Sequence, residues 1–205
     1  MTPHYWDRAR RALARRDPIL RVIIRRHPGI ALQSRGDPFQ TLARSIVGQQ
    51  ISVTAADSVW ARLLRVAPAM RPEEVVAARR RRLLAAGLSQ RKSEYLRDLA
   101  RRFLDGSLHA ARWAELDDEA VIRDLVQVRG IGRWTAEMFL IFHLLRPNVL
   151  PLDDLGLQKA VRMHYFDGDS AEVEAIRALA SDWEPWRSVA TWYLWRSLDP
   201  VPVEY

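Results

Sequence analysis

Apolar residues recur at three- and four-residue intervals along almost the whole chain, and strands find no place in the pattern. That spacing gathers them on one face of an α-helix. The chain is therefore restricted to an all-α fold. Helices are expected over 5–16 and 19–26. Asp37 followed by Pro38 reads as an N-cap with proline at the first helical position. Phe39, Leu42, Ala43, Ile46 and Val47 mark one face of the helix it starts. Gly48-Gln49-Gln50-Ile51 breaks the pattern. The next helix is expected from about Ser52, with Val53, Ala56, Trp60, Leu63 and Leu64 inward. Pro68 and Pro72 punctuate the connection after it. A short helix over 79–86 stops at Gly87, and a longer one over 89–104 ends at Gly106. Asp117 caps a helix carrying Val121, Ile122, Leu125 and Val126. A long helix then runs from Ile131 to just before Pro147, apolar almost all round. Further helices are expected over 155–165, 171–181 and 186–197.

The length of 205 residues suffices for one domain or two small lobes. No apolar run reaches membrane length, so no membrane partner is expected. The first residues lack the apolar core of a secretion signal. The absence of cysteine excludes disulfides, cysteine nucleophiles, thiolate zinc sites and an iron–sulfur cluster. His4, His27, His109, His143 and His164 form no pair at metal-ligand spacing, which argues against a metal held by side chains. The net charge of +7 favours anionic partners, nucleic acid first. Nearly all of the positive charge is arginine, with Lys92 and Lys159 the only lysines. The arginine clusters over 8–16 and 79–82 read as solvated helix faces.

Two motifs carry the chemistry. Val128-Arg129-Gly130-Ile131-Gly132-Arg133-Trp134-Thr135-Ala136 joins two helical patterns. A Gly-x-Gly turn that opens a helix offers backbone N–H groups to an anion such as phosphate. About twenty residues downstream comes Leu150-Pro151-Leu152-Asp153-Asp154, a carboxylate pair. A lone Gly-x-Gly would read as an ordinary helix–helix turn; the residues after it and the acidic pair point to function.

The run from Val128 to Ala136 resembles the helix–hairpin–helix of the DNA glycosylase superfamily. The tryptophan after Gly-Ile-Gly-Arg resembles the alkylation-repair branch similar to bacterial 3-methyladenine DNA glycosylase II. Gly48-Gln49-Gln50-Ile51-Ser52, Gly87-Leu88-Ser89-Gln90-Arg91-Lys92 and Trp183-Glu184-Pro185-Trp186-Arg187-Ser188 resemble three further motifs of that branch. The resemblance covers about residues 37–198. Two departures stand out: Arg129 replaces the usual proline, and the chain is too short for the N-terminal β domain of the longer enzymes.

The resemblance implies a two-lobed helical fold. Residues 1–36 and 149–205 would form one lobe and 37–148 the other, with the hairpin at about 117–145. A cleft between them would hold the site. It implies a monofunctional enzyme of base excision repair that cleaves the N-glycosidic bond of an alkylated base flipped from double-stranded DNA. The lyase lysine of bifunctional members has its place at Trp134. The family aspartate falls on Asp153, with Asp154 as the alternative and helix capping as the bland reading of both. Trp134, Trp195, Met138 and Trp192 would line the base pocket, where indole faces suit a cationic base. Gln50 would enter the duplex where the base leaves the stack. Gln49, Arg129, Gly130, Ile131, Gly132, Arg133 and Thr135 would contact DNA. No cofactor is required; a sodium or potassium ion on the carbonyls of Val126, Val128 and Ile131 is left open. A monomer in the cytoplasm, associated with the nucleoid, is expected. Two alternatives remain: a glycosylase for other damaged or mismatched bases, and a non-catalytic DNA-binding hairpin module.

Overall fold

The computed structural model describes residues 2–34, 36–169 and 171–198. Among them are twelve α-helices, two short 3₁₀ turns and no strand, the all-α fold expected. None of these helices is long and apolar enough to cross a membrane. The chain divides into two compact units. One holds the described residues of Met1–Ser34 and Leu140–Glu204, and the other those of Arg35–Phe139.

The discontinuous unit contains α1 (Trp6–Arg16), α2 (Pro18–Arg26), α10 (Leu155–Tyr165), α11 (Val173–Leu179) and α12 (Arg187–Leu198). Its core is aromatic. Trp6 of α1 meets Trp192 of α12 edge-on at 5.1 Å, and Trp183 and Tyr193 are fully buried. Asp17 joins three of its segments. One carboxylate oxygen caps α2, accepting from the N–H groups of Ile19 and Leu20 at 2.9 Å. The other accepts from the Tyr165 hydroxyl at 2.6 Å and the Trp183 indole N–H at 3.1 Å. A buried carboxylate is tolerated because donors surround it. Burial, and then the hydrogen bond to Asp17 and its charge, push the Tyr165 hydroxyl well above its ordinary pKa.

The continuous unit contains α3 (Pro38–Gly48), α4 (Val53–Leu63), α5 (Pro72–Ala77), α6 (Arg80–Ala85), α7 (Gln90–Leu104) and α8 (Asp118–Leu125). Side-chain caps start several of them. Asp37, Ser52, Ser89 and Asp117 each accept from a backbone N–H three residues on. Phe39, Phe103, Trp113 and Phe139 form a chain of edge-to-face contacts through this core. Helix α9 (Arg133–Phe142) carries the chain from this unit into the other. The boundary thus lies inside a helix and not at residue 148.

Four expectations need correction. Pro72 does not merely punctuate a connection: it is the first residue of α5, with Glu73 and Glu74 in the first turn. The inward face of α4 is Val59 and Leu63, while Val53 and Leu64 are exposed. The long helix ends at Phe142, well before Pro147. The expected helix over 171–181 is α11 followed by a 3₁₀ turn at Ala180–Trp183.

Candidate active site

The segment between α9 and α10 is fixed by long-range hydrogen bonds. The Tyr5 hydroxyl donates to the Leu145 carbonyl at 2.5 Å, and Ser34 to that of His143 at 2.9 Å. Ser188, fully buried in α12, donates its hydroxyl to the Arg146 carbonyl at 2.6 Å and accepts from the Val149 N–H at 2.9 Å. These bonds hold Leu145 at φ +55, a left-handed conformation that leucine rarely adopts. The serine of the C-terminal motif thus anchors the loop that leads to the two aspartates.

The two aspartates differ sharply. Asp154 is 7% exposed and caps α10, its Oδ1 accepting from the Leu157 N–H at 2.6 Å. The same oxygen accepts from the Trp195 indole N–H at 2.7 Å. Asp153 is exposed, and its side chain makes no hydrogen bond among the described residues. Trp195 stacks on Phe142 in an offset, near-parallel arrangement, with centroids 5.7 Å apart and planes 10° from parallel. Gly156 makes the approach feasible. A Cβ there would lie 3.1 Å from Asp154 Oδ1 and 3.2 Å from Trp195 Cδ1. A carboxylate, an indole and a phenyl ring are therefore locked together beside a helix N-terminus. Fixed charge in a partly desolvated place acts more strongly than charge in water.

Not every expected pocket residue joins this cluster. Trp192 is 6% exposed and packs against Trp6, Tyr193 and the Arg196 guanidinium. It belongs to the core. Trp134 is half-buried and Met138 is buried. Together with Phe142 they stand four residues apart on α9, and so share one face of it. Phe142 was missed by sequence reasoning. The four-residue spacing from Trp134 and Met138 was the available signal.

The hairpin is built from the other unit. Gly130 has φ +83, and a Cβ on it would fall 2.1 Å from Cδ2 of Tyr95. Only glycine satisfies both demands. The N–H groups of Gly130 and Gly132 have no acceptor among the described residues. Arg129 is exposed, and its backbone N–H donates to Asp98 Oδ2 at 3.0 Å. A proline at this position has no such N–H, so the departure at Arg129 has a local partner.

Four expected DNA contacts have side chains directed elsewhere. Arg133 pairs with Glu119, in a bond to each carboxylate oxygen, and with Glu137 at 3.0 Å. Those bonds push its pKa up and draw that of Glu119 down. Its side chain is committed to carboxylates. The Ile131 and Thr135 side chains are buried. The Gln49 side chain donates to the Gly130 carbonyl at 2.7 Å, tying the Gly48–Ile51 break to the hairpin. Gln50 is exposed with φ +58, the left-handed region again. Lys92 closes the arrangement, its ammonium donating to the carbonyls of Val47 at 2.7 Å and Gln49 at 2.6 Å.

Residues 43–185 match the family described as HhH-GPD superfamily base excision DNA repair protein. The chain belongs to that superfamily. Among the relatives of this HhH-GPD protein is DNA-3-methyladenine glycosylase 1 of Schizosaccharomyces pombe, 32% identical over 78% of this chain and 72% of its own length. Two solved structures share the fold. A DNA-3-methyladenine glycosidase from Bacillus halodurans is 31% identical, with a TM-score of 0.86 over 93% of this chain and 89% of that one. The Mag1 3-methyladenine glycosylase of S. pombe, in complex with abasic DNA, is 27% identical, with a TM-score of 0.79 over 93% and 96%. The chain spans about two thirds of the length of the curated relatives it matches.

Proposed function

We propose that this chain is a monofunctional DNA glycosylase of base excision repair, hydrolysing the N-glycosidic bond of alkylated bases flipped out of duplex DNA. The observation that carries the reading is the Trp195–Asp154 pair at the N-terminus of α10. The family relationship supports it, as do the names of the relatives.

Alkylation on a ring nitrogen makes a base a good leaving group, often cationic. The C1′–N bond breaks with its electron pair going to the base, and the sugar becomes oxocarbenium-like. Water then adds its oxygen to C1′ and releases a proton. A fixed carboxylate stabilises the positive sugar. We assign that role to Asp154 in preference to Asp153. Asp154 is buried and held by two N–H donors, whereas the charge of Asp153 is exposed and screened by water. Capping α10 is compatible with this role, because both N–H donors favour the ionised form of the carboxylate. Trp195 and Phe142 supply an aromatic wall for the base, and Trp134 and Met138 extend the α9 face.

Lyase chemistry needs an amine nucleophile. Tryptophan stands where bifunctional members carry it, so strand cleavage is not part of the reaction. DNA is held by the N–H groups of Gly130 and Gly132, with the exposed Arg129 cation nearby. No cofactor enters the chemistry. The hairpin carbonyls fit a monovalent cation as hard oxygen donors. Val126 and Ile131 accept no backbone hydrogen bond among the described residues, and Val128 accepts one, from Ile131 at 3.1 Å. A bound cation would add positive charge facing a phosphate.

The test is base release from methylated duplex DNA. Asp154→Asn is expected to lower the rate by about a hundredfold or more, and Asp153→Asn by less than about threefold. Abasic sites should remain uncut until alkali is added. No release by the wild type refutes the glycosylase reading. A large loss confined to Asp153→Asn returns the chemistry to that residue. Nicking without alkali refutes the monofunctional reading.

A further inference from the structure

Three side chains at three-residue spacing share one flank of α7: Lys92, Tyr95 and Asp98. Each is committed to a segment that the proposed function uses. Asp98 holds the Arg129 N–H, and the Tyr95 ring fills the space beside Gly130. Lys92 holds the end of α3 and the residue after it. Lys92 is one of two lysines among 32 basic residues, so its identity is not explained by charge alone. The last carbonyls of a helix lack intrahelical donors and form the negative end of its dipole. A single compact ammonium reaches two of them here, a task that a planar guanidinium fork performs poorly. Burial lowers the Lys92 pKa from its ordinary value, as expected for an amine turned into the protein.

The next residue is Gln50, held in the left-handed region on an exposed loop. For a residue with a Cβ that conformation persists only where its surroundings impose it. The carbonyl of Gln49 is fixed by Lys92, and the side chain of Gln49 is fixed by the Gly130 carbonyl. Gln50 is therefore presented by a turn clamped at Gln49, through its carbonyl and through its side chain. We propose that Lys92 is a positioning residue: by capping α3 it preforms the turn that presents Gln50, so that this side chain enters the duplex without first being ordered. The inference rests on the glycosylase reading, in which an extruded base leaves a gap in the stack. Preforming the turn removes an ordering cost from the step that opens the duplex.

The test compares two substrates that carry the same methylated base, one fully paired and one with the base unpaired inside a short bubble. The bubble has already lost the pairing and stacking that insertion must replace. Lys92→Met and Gln50→Ala should each lower release from the paired substrate by about tenfold, with release from the bubble unchanged within about twofold. The double variant should be no slower than the slower single variant. If Lys92→Met does not fold by circular dichroism, Lys92→Gln is read in the same comparison. Equal losses on both substrates reduce Lys92 to a structural role and overturn the proposal. Wild-type rates on the paired substrate, or multiplied effects in the double variant, overturn it as well. No release by the wild type from either substrate refutes the glycosylase reading itself, a different result from all of these.

Discussion

The Trp195 indole N–H donates to Asp154 Oδ1 at 2.7 Å while its ring runs nearly parallel to that of Phe142 in an offset stack. One side chain thus aims a carboxylate and forms an aromatic surface. Trp195→Phe separates the two, since phenylalanine stacks but cannot donate. The rate of base release should fall about tenfold, with a stability loss of only about 1 kcal/mol, since Leu157 still donates to Asp154. Unchanged release with thermal stability reduced would show that the bond serves the fold alone.

Arg129→Pro tests the hairpin. The substitution removes the N–H given to Asp98 and leaves that carboxylate with Arg102 at 3.2 Å. Proline also disfavours helical backbone at the preceding Val128, whose N–H bonds to the Leu125 carbonyl. A loss of about 1–2 kcal/mol is expected, or ~3–6 °C in Tm. In an Asp98→Ala background the same change should cost markedly less. Equal costs in both backgrounds, measured by thermal denaturation, would disprove the link.

Acidification should destabilise the discontinuous unit through His164. Burial, and then Arg26, hold its imidazole below the ordinary value of 6.5. The unfolded chain then binds the proton more tightly, so the contribution is present above about pH 6.5 and is lost as pH falls below it. His164→Gln can keep a bond to Ser197, which His164 Nε2 makes at 2.8 Å. The variant should lose less Tm than the wild type between about pH 7.5 and 5. Parallel curves would rule His164 out. His27, lowered by burial, Arg196 and Arg26, shifts in the same sense and needs its own variant.

Local signals in the sequence marked most helix starts. Asp37, Ser52, Ser89 and Asp117 act within three residues of themselves, so the helices they cap were legible. The end of α9 was not. Leu144 and Leu145 continue the helical pattern, but Tyr5 and Ser188 fix that stretch from far along the chain. The inward face of α4 was misread for a related reason: a short amphipathic helix shows its period better than its orientation. At the site, the motif and its glycine turn could be read directly. The proposed preference for Asp154 over Asp153 rests on Trp195, 41 residues away, and the partners of Lys92 are likewise remote. Pro72 reads in the sequence only as a break in the connection, whereas it also starts α5, a helix of six residues too short to show a period.

The discontinuous unit has a consequence for synthesis on the ribosome. Trp6 packs on Trp192, and Asp17 on Tyr165 and Trp183. Helices α1 and α2 emerge before the intervening unit, yet every one of those partners is translated after the whole of it. At typical elongation rates that delay is on the order of ten to thirty seconds. The inserted unit can complete its own core during that interval, while the apolar faces of the first two helices wait uncovered. In a growing chain, a segment made before the inserted unit settles only after it.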